Sequence, residues 1–294
     1  MKQLTLPAYA KINLYLSVLD KRPDGYHNIE SVMQSVSLAD AVTVTVSPAS
    51  GAPHITLTMT DNSLPCDAHN IAYRAAELFL AAHPTADDIG IHIVKNIPVA
   101  GGLAGGSTDG AAVLRALNTL YGSPFTTDEL CRIGAALGAD VPFCIRGGTM
   151  LARGVGEILS PLPPLPDCTI LIVRPHESVS TPEAYRRIDS LGAASPSPLS
   201  SMTDALRRSS IADAALAAYN IFESVMPASS EIHTVKRVLD EHGAILSMMS
   251  GSGPSVFAVF GCDDDAVRAS QALSEKGYVS VVTAPVSGEE DVLA

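Results

Sequence analysis

Pro98-Val-Ala-Gly-Gly-Leu-Ala-Gly-Gly-Ser-Thr108 places four glycines in the six positions from Gly101 to Gly106. Before it, Ile89, Ile91 and Ile93 alternate as a strand ending at Lys95-Asn96. After it, Ala112, Leu114, Leu117 and Leu120 recur as the buried side of a helix, with Ser107, Thr108 and Asp109 read as its cap and first turn. A strand, a glycine loop and a helix start together form an anion-binding arrangement. Glycines let backbone N–H groups come close to phosphate oxygens and adopt positive φ. The helix start adds unpaired donors and partial positive charge. No Lys follows Gly106, so the Walker A pattern is not met. G-x-G-x-x-G fails here and again at Gly251-Ser-Gly253, where the third glycine position is Val256. Taken alone, the loop reads either as a phosphate cradle or as a tight turn without a ligand.

The rest of the chain narrows the choice. A formal charge of −12 disfavours nucleic acid and anionic membrane as partners. Any anion must then be held by backbone N–H groups, a helix start or a few placed cations. The five cysteines are scattered with no CxxC pair, which points to free thiols rather than zinc or disulfides. No apolar run reaches the roughly 18 residues of a membrane span, and the first ten residues lack a signal-peptide pattern. A cytoplasmic location is the expectation.

Lys11 to Leu19 alternate, with Ile12, Leu14, Leu16 and Val18 on one face and Lys11, Asn13, Tyr15 and Ser17 on the other. The expectation is a half-buried strand whose polar face looks onto a site. Asp20 to Gly25 has turn chemistry. Further strands are expected at Val42–Val46 and Ile55–Met59, and helices at Asn70–Ala82 and from Thr126 to near Gly138. Pro161-Leu-Pro-Pro-Leu-Pro166 marks a domain boundary. Beyond it come a strand at Thr169–Val173 and helices from about Pro182, Ala212 and Glu231, interrupted by the loop Gly192–Pro198. Strands at Ala244–Met249, Ser255–Phe260 and Tyr278–Thr283 follow, with a helix at Asp264–Lys276. This order fits α+β domains better than a regular βαβ array.

Three segments taken together are more specific. Pro7-Ala-Tyr-Ala-Lys-Ile-Asn-Leu-Tyr-Leu16, the Pro98–Thr108 loop and Met249-Ser-Gly-Ser-Gly-Pro254 resemble the three ordered motifs of the GHMP kinases, and the likeness runs from about residue 5 to about 285. Ala104 stands where that family usually has glycine and Gly110 where it usually has alanine; Thr108 keeps the hydroxyl of the commoner serine. The resemblance implies an α+β, two-domain GHMP-kinase fold. Residues 1–160 would form the ATP-binding domain and 161–294 a ferredoxin-like C-terminal domain, with the active site in the cleft between them. It implies ATP as co-substrate with Mg²⁺, and no particular oligomeric state.

The resemblance also assigns roles. Lys11 and Asp140 would sit at the acceptor hydroxyl, Asp140 taking its proton and Lys11 orienting it. Taken singly, Lys11 reads as a strand lysine and Asp140 as a turn or cap residue before Pro142. Pro98, Val99, Ala100, Gly101, Gly102, Leu103, Ala104, Gly105, Gly106, Ser107 and Thr108 would surround the ATP phosphates. Lys95 and Asn70 would lie on the nucleotide side, though each also reads as a strand-end cation or a helix cap. Lys21-Arg-Pro-Asp-Gly-Tyr-His27 and Gly138-Ala-Asp-Val-Pro-Phe143 are similar to members whose acceptor is a cytidyl diphosphate of methylerythritol. Tyr26 would then stack on cytosine and His27 hydrogen-bond it. Thr181 and Tyr185 would add cytidyl-side contacts, and Asn13 would touch the polar tail. For Tyr185, ordinary packing reads equally well. Ser107 and Asp109 suit Mg²⁺ and suit helix capping, so no metal ligand is assigned. A sister kinase for homoserine or mevalonate is disfavoured by Asp24-Gly-Tyr-His27, since those acceptors carry no base. A non-catalytic sensor on this fold is disfavoured by the presence of both Lys11 and Asp140.

Overall fold

A computed structural model describes residues 1–191 and 198–288. Most of the Gly192–Pro198 loop therefore lies outside the described residues.

Two long antiparallel strands, β1 (Lys2–Lys21) and β2 (His27–Pro48), form the spine of the first sheet. Asp24 shapes their turn by accepting the Tyr26 N–H at 3.1 Å, and Gly25 there takes φ +90°. β3 (Ile55–Met59), α1 (Ile71–Ala82) and β4 (Asp87–Val94) follow, giving the order β3-β4-β2-β1. Next come α2 (Gly105–Leu120), α3 (Thr127–Ala135) and α4 (Val141–Arg146). The hairpin β5 (Thr149–Arg153) and β6 (Ile158–Pro161) adds to β2. Phe79, Leu114, Leu117 and Phe143 on the helices pack against Val42, Val44 and Ile91 on the sheet as one buried core.

The later half begins with β7 (Thr169–Arg174), α5 (Thr181–Leu191), α6 (Leu199–Arg207), α7 (Ile211–Ala217) and the short β8 (Tyr219–Asn220). A 3-10 helix (Ile221–Val225), α8 (Glu231–Glu241), β9 (Leu246–Met249), β10 (Val256–Phe260), α9 (Asp263–Glu275) and β11 (Val279–Thr283) complete it. Its sheet is antiparallel in the order β11-β7-β10-β9, the ferredoxin-like arrangement. Val235, Leu239, Phe260 and Leu273 are central to a second core. Helix α6 was not expected, although Leu199, Met202, Ala205 and Leu206 carry helical spacing and three of them are buried.

Two departures from expectation shape the site. The first is in β1, whose alternation does not hold throughout. The register slips between Asn13 and Tyr15, as a bulge adds an unpaired residue and reverses the faces beyond it. Ile12, Leu14 and Tyr15 consequently pack in one core, while Leu16 and Val18 pack in another. Neither face is open to solvent: Lys11 is 4% exposed and Asn13 1%. The second departure is β8, which pairs parallel to β1 through Tyr15–Tyr219 and Leu16–Asn220. A third core then joins Ile12, Leu14 and Val36 to Leu165, Met202 and Phe257. Among the described residues, no helix is long and apolar enough to cross a membrane.

Candidate active site

The glycine loop is held by its carbonyls. Leu103 O accepts the Lys11 N–H at 3.1 Å from β1, and Gly101 O accepts the Ser255 N–H at 3.2 Å. The Ser250 hydroxyl donates to Gly102 O at 3.0 Å. The approach of the Ser250–Gly253 turn is so close that a Cβ on Gly102 (φ +77°) would lie 2.2 Å from Ser250 O. Ala104 adopts the left-handed conformation at φ +60° and serves as the N-cap of α2. The helix therefore starts at Gly105, its cap falling three residues before the expected Ser107 cap. This makes Gly105, Gly106 and Ser107 its first three residues, whose N–H groups have no partner within the helix.

A cavity of about 570 Å³ opens over this loop, lined also by Lys11, Asn13, Asn70, Asp140, Tyr185 and Gly251. Nine of the eleven expected loop residues line it, Leu103 and Thr108 being absent. Leu103 is buried in the third core, and the Thr108 hydroxyl donates to Tyr9 O at 2.8 Å. These two fix the loop from behind.

Lys11 donates from Nζ to Asn13 Oδ1 at 2.7 Å, and Asn13 in turn donates to Ser31 Oγ at 2.8 Å. The ammonium is thus steered before any ligand arrives. Asp140 stands at the N-cap position of α4, yet its side chain makes no capping hydrogen bond. Its side chain is thus not used as a cap, and Asp140 and Lys11 both line the cavity. Among the described residues, no ion pair joins the two. Burial first, and then the Asp140 charge, raises the Tyr185 hydroxyl to about 12 and likewise drives the buried Cys144 thiol upward.

Lys95, expected on the nucleotide side, lines the cavity just past the end of β4. It is buried between Asp40 and Asp109, with 2.7 Å to the latter. Burial lowers the Lys95 ammonium, but the two carboxylates outweigh this and raise it. Burial likewise pushes the Asp109 carboxyl up to about 7 against the pull of Lys95, with Asp40 adding to the rise. Asp109 Oδ1 is buried without a hydrogen-bond partner. Asn70 caps α1, accepting the Ala72 N–H at 2.8 Å, and also lines the cavity.

The residues expected at a cytidyl group are only partly assembled. Tyr185 lines the cavity, and Thr181 bonds to Ser252 Oγ at 2.7 Å across its rim. His27 lies behind Tyr185, stacked on it at 4.8 Å, and its Nε2 meets Asp189 Oδ1 at 2.6 Å. Tyr26 is 67% exposed. Neither His27 nor Tyr26 lines the cavity. Sequence reasoning missed Asp40, Asp189 and Phe222, while Ser252 lies within the Met249–Pro254 motif. Only Asp40 left a signal, being a carboxylate inside the apolar run Val36–Val46. Among the described residues, no group of three His, Cys, Asp or Glu side chains could hold a metal by itself.

The GHMP kinases N-terminal domain matches residues 70–148, and the GHMP kinases C-terminal domain matches 202–279. The chain is 41% identical over 270 residues to a 4-diphosphocytidyl-2-C-methyl-D-erythritol kinase of Lachnoclostridium phytofermentans, covering 92% of each. A crystal structure of 4-(cytidine 5'-diphospho)-2C-methyl-D-erythritol kinase superimposes with a TM-score of 0.81 at 33% identity, covering 97% of this chain and all of that one. A homoserine kinase from Cytophaga hutchinsonii gives 0.75 at 22% identity, covering 98% and 96%, a likeness of fold.

Proposed function

The chain belongs to the GHMP kinases, and from that premise we propose that it transfers the γ-phosphoryl group of ATP to the 2-hydroxyl of 4-(cytidine 5'-diphospho)-2-C-methyl-D-erythritol. This is a step of the non-mevalonate route to isoprenoid precursors. The observation that carries the reading is that Lys11 and an uncapping Asp140 share one cavity with the glycine loop.

Phosphoryl transfer asks for positioning and charge neutralisation more than for covalent chemistry. We assign the Pro98–Thr108 loop to the phosphates, with the backbone N–H groups from Val99 to Ser107 as donors and Leu103 and Thr108 shaping the loop, and Lys95 and Asn70 to the nucleoside end. Asp140 accepts the proton of the 2-hydroxyl as it attacks. Lys11, held by Asn13, orients that hydroxyl and offsets the developing charge. Tyr26, His27, Thr181 and Tyr185 are assigned to the cytidyl end. The stack of His27 on Tyr185 supports a flat aromatic platform there.

ATP brings Mg²⁺, which binds through one or two carboxylates plus phosphate oxygens and water. The buried, unpartnered Oδ1 of Asp109 and the cavity-lining hydroxyl of Ser107 fit that donor set. When bound, the ion neutralises phosphate charge. We place the lobe boundary at 160/161, in the proline-rich segment, and the protein in the cytoplasm, where its five free cysteines suit a reducing milieu.

The test is ADP release from Mg²⁺-ATP with the cytidyl substrate, mevalonate and homoserine in parallel. Turnover with the cytidyl substrate alone is expected. Turnover confined to mevalonate or homoserine would replace the substrate assignment, and none with any would remove the enzymatic one.

A further inference from the structure

The β2–β4 ladder runs down to Ala41–Val94, so the next pair would have been Asp40 and Lys95. There the chain leaves the sheet for the glycine loop, and the backbone donors of Asn96 and Ile97 have no strand opposite. The Asp40 side chain, with no exposed surface, takes over from the ladder. Its Oδ1 accepts the Asn96 N–H at 2.5 Å and the Ile97 N–H at 2.8 Å. Its Oδ2 accepts Lys95 Nζ. Lys95 Nζ also donates to Asp109 Oδ2 at 2.7 Å, on the second turn of α2. It lies 3.6 Å from where a Cβ on Gly105 would be. One carboxylate, lying 55 positions before Lys95, therefore holds the loop at its entry and, through Lys95, at its exit.

We propose that Asp40 is a positioning residue for ATP: it sets the spacing between the loop entry at Asn96–Ile97 and the N-terminal turn of α2. Buried charge geometry of this kind is costly to break, because removing one partner leaves another charge without compensation. Small displacements of a phosphate-holding backbone are correspondingly costly in binding and rate. The inference rests on the proposed ATP site and does not depend on which acceptor the enzyme uses.

Asp40→Asn separates the two tethers. Its Oδ1 still accepts the Asn96 and Ile97 N–H groups, but its NH₂ now faces the Lys95 ammonium, donor against donor. Asp40→Ala removes both tethers. The expected result is a KM for ATP raised about tenfold in Asp40→Asn and further in Asp40→Ala. The KM for the acceptor should stay within about twofold of wild type in Asp40→Asn. Unchanged KM values, or both rising together, would overturn the proposal. ATP should also raise the Tm of wild type clearly more than that of Asp40→Asn; equal shifts would count against it. Should the variants fail to fold, amide exchange of the unaltered protein decides. The Asn96 and Ile97 amides are expected to exchange as slowly as those of β4, and exchange at open-loop rates would overturn the tether. If wild type binds ATP but spares the cytidyl substrate, the substrate assignment fails while the role of Asp40 stands. If wild type shows no response to ATP, both fall.

Discussion

Asp140 occupies a helix N-cap position without capping the helix, so its carboxylate costs little to replace structurally and much to replace chemically. Asp140→Asn is expected to keep the Tm within a few degrees while lowering kcat by about 10²–10⁴-fold, the usual worth of a positioned base. Near-normal kcat would remove it from proton transfer. Tyr26→Ala should raise the KM for the cytidyl substrate more than that for ATP, since an exposed ring at a turn contributes through what it stacks on. Equal effects would argue against stacking. Asp189 gives a pH signature. Its hydrogen bonds to Lys21 and His27 hold its carboxyl below the ordinary 3.8, so its stabilising share is present above that value and is lost as pH falls through the lowered one. Asp189→Asn should therefore lower Tm at pH 7, and the gap to wild type should close on acidification below about pH 4. A gap that persists there would mean the pair does not act through charge. Lys11 and Asp140 were readable because short motifs carry them. Asp189 was not, because it meets His27 across 162 positions and no local pattern anticipates such a pairing.

At the scale of elements, the loop and α2 show what spacing can and cannot reveal. The glycines announced a tight loop, yet the helix start was misplaced because Ala104 carries the left-handed φ that a glycine would adopt more easily. Ala104→Gly should relieve that strain and, after the extra unfolded-state entropy of glycine, change stability by less than about 1 kcal/mol in the favourable direction. A thermal melt that shows clear destabilisation would mean the alanine methyl contributes more by packing than it costs in strain. Gly102→Ala should do the reverse: its Cβ meets Ser250 O at 2.2 Å, so the loop must separate from the Ser250–Gly253 turn and the KM for ATP should rise. Strand β1 was recognised in its middle and misread across its length. A period of two is a property of an unbroken strand, and the slip between Asn13 and Tyr15 leaves no mark in residue type. The bulge nonetheless leaves Leu16 lining the same cavity as Lys11 and Asn13.

For the molecule as a whole, the order of elements was enough to anticipate α+β domains, while the ferredoxin-like arrangement of the second sheet was implied by the GHMP-kinase resemblance. The joint between them was not, since β8 is only two residues long and strand signals need longer runs. Asn220, within that strand, donates to Met249 O at 2.7 Å and Gly251 O at 2.8 Å, and so ties β1 to the turn that roofs the glycine loop. Asn220→Ala should cost about 1–3 kcal/mol by leaving buried carbonyls unpaired, measurable by denaturant unfolding, and should weaken ATP and acceptor together. An unaffected enzyme would show that the turn holds itself. The third core, drawn from both sides of the proline-rich segment, has a consequence for anyone who cuts the gene there. Each fragment would present a raw apolar surface that only the other can cover. Expressed apart, the fragments should precipitate or remain partly folded; expressed together, they should recover activity by recombining, which makes the proline-rich segment a seam for a split reporter rather than for two free-standing proteins.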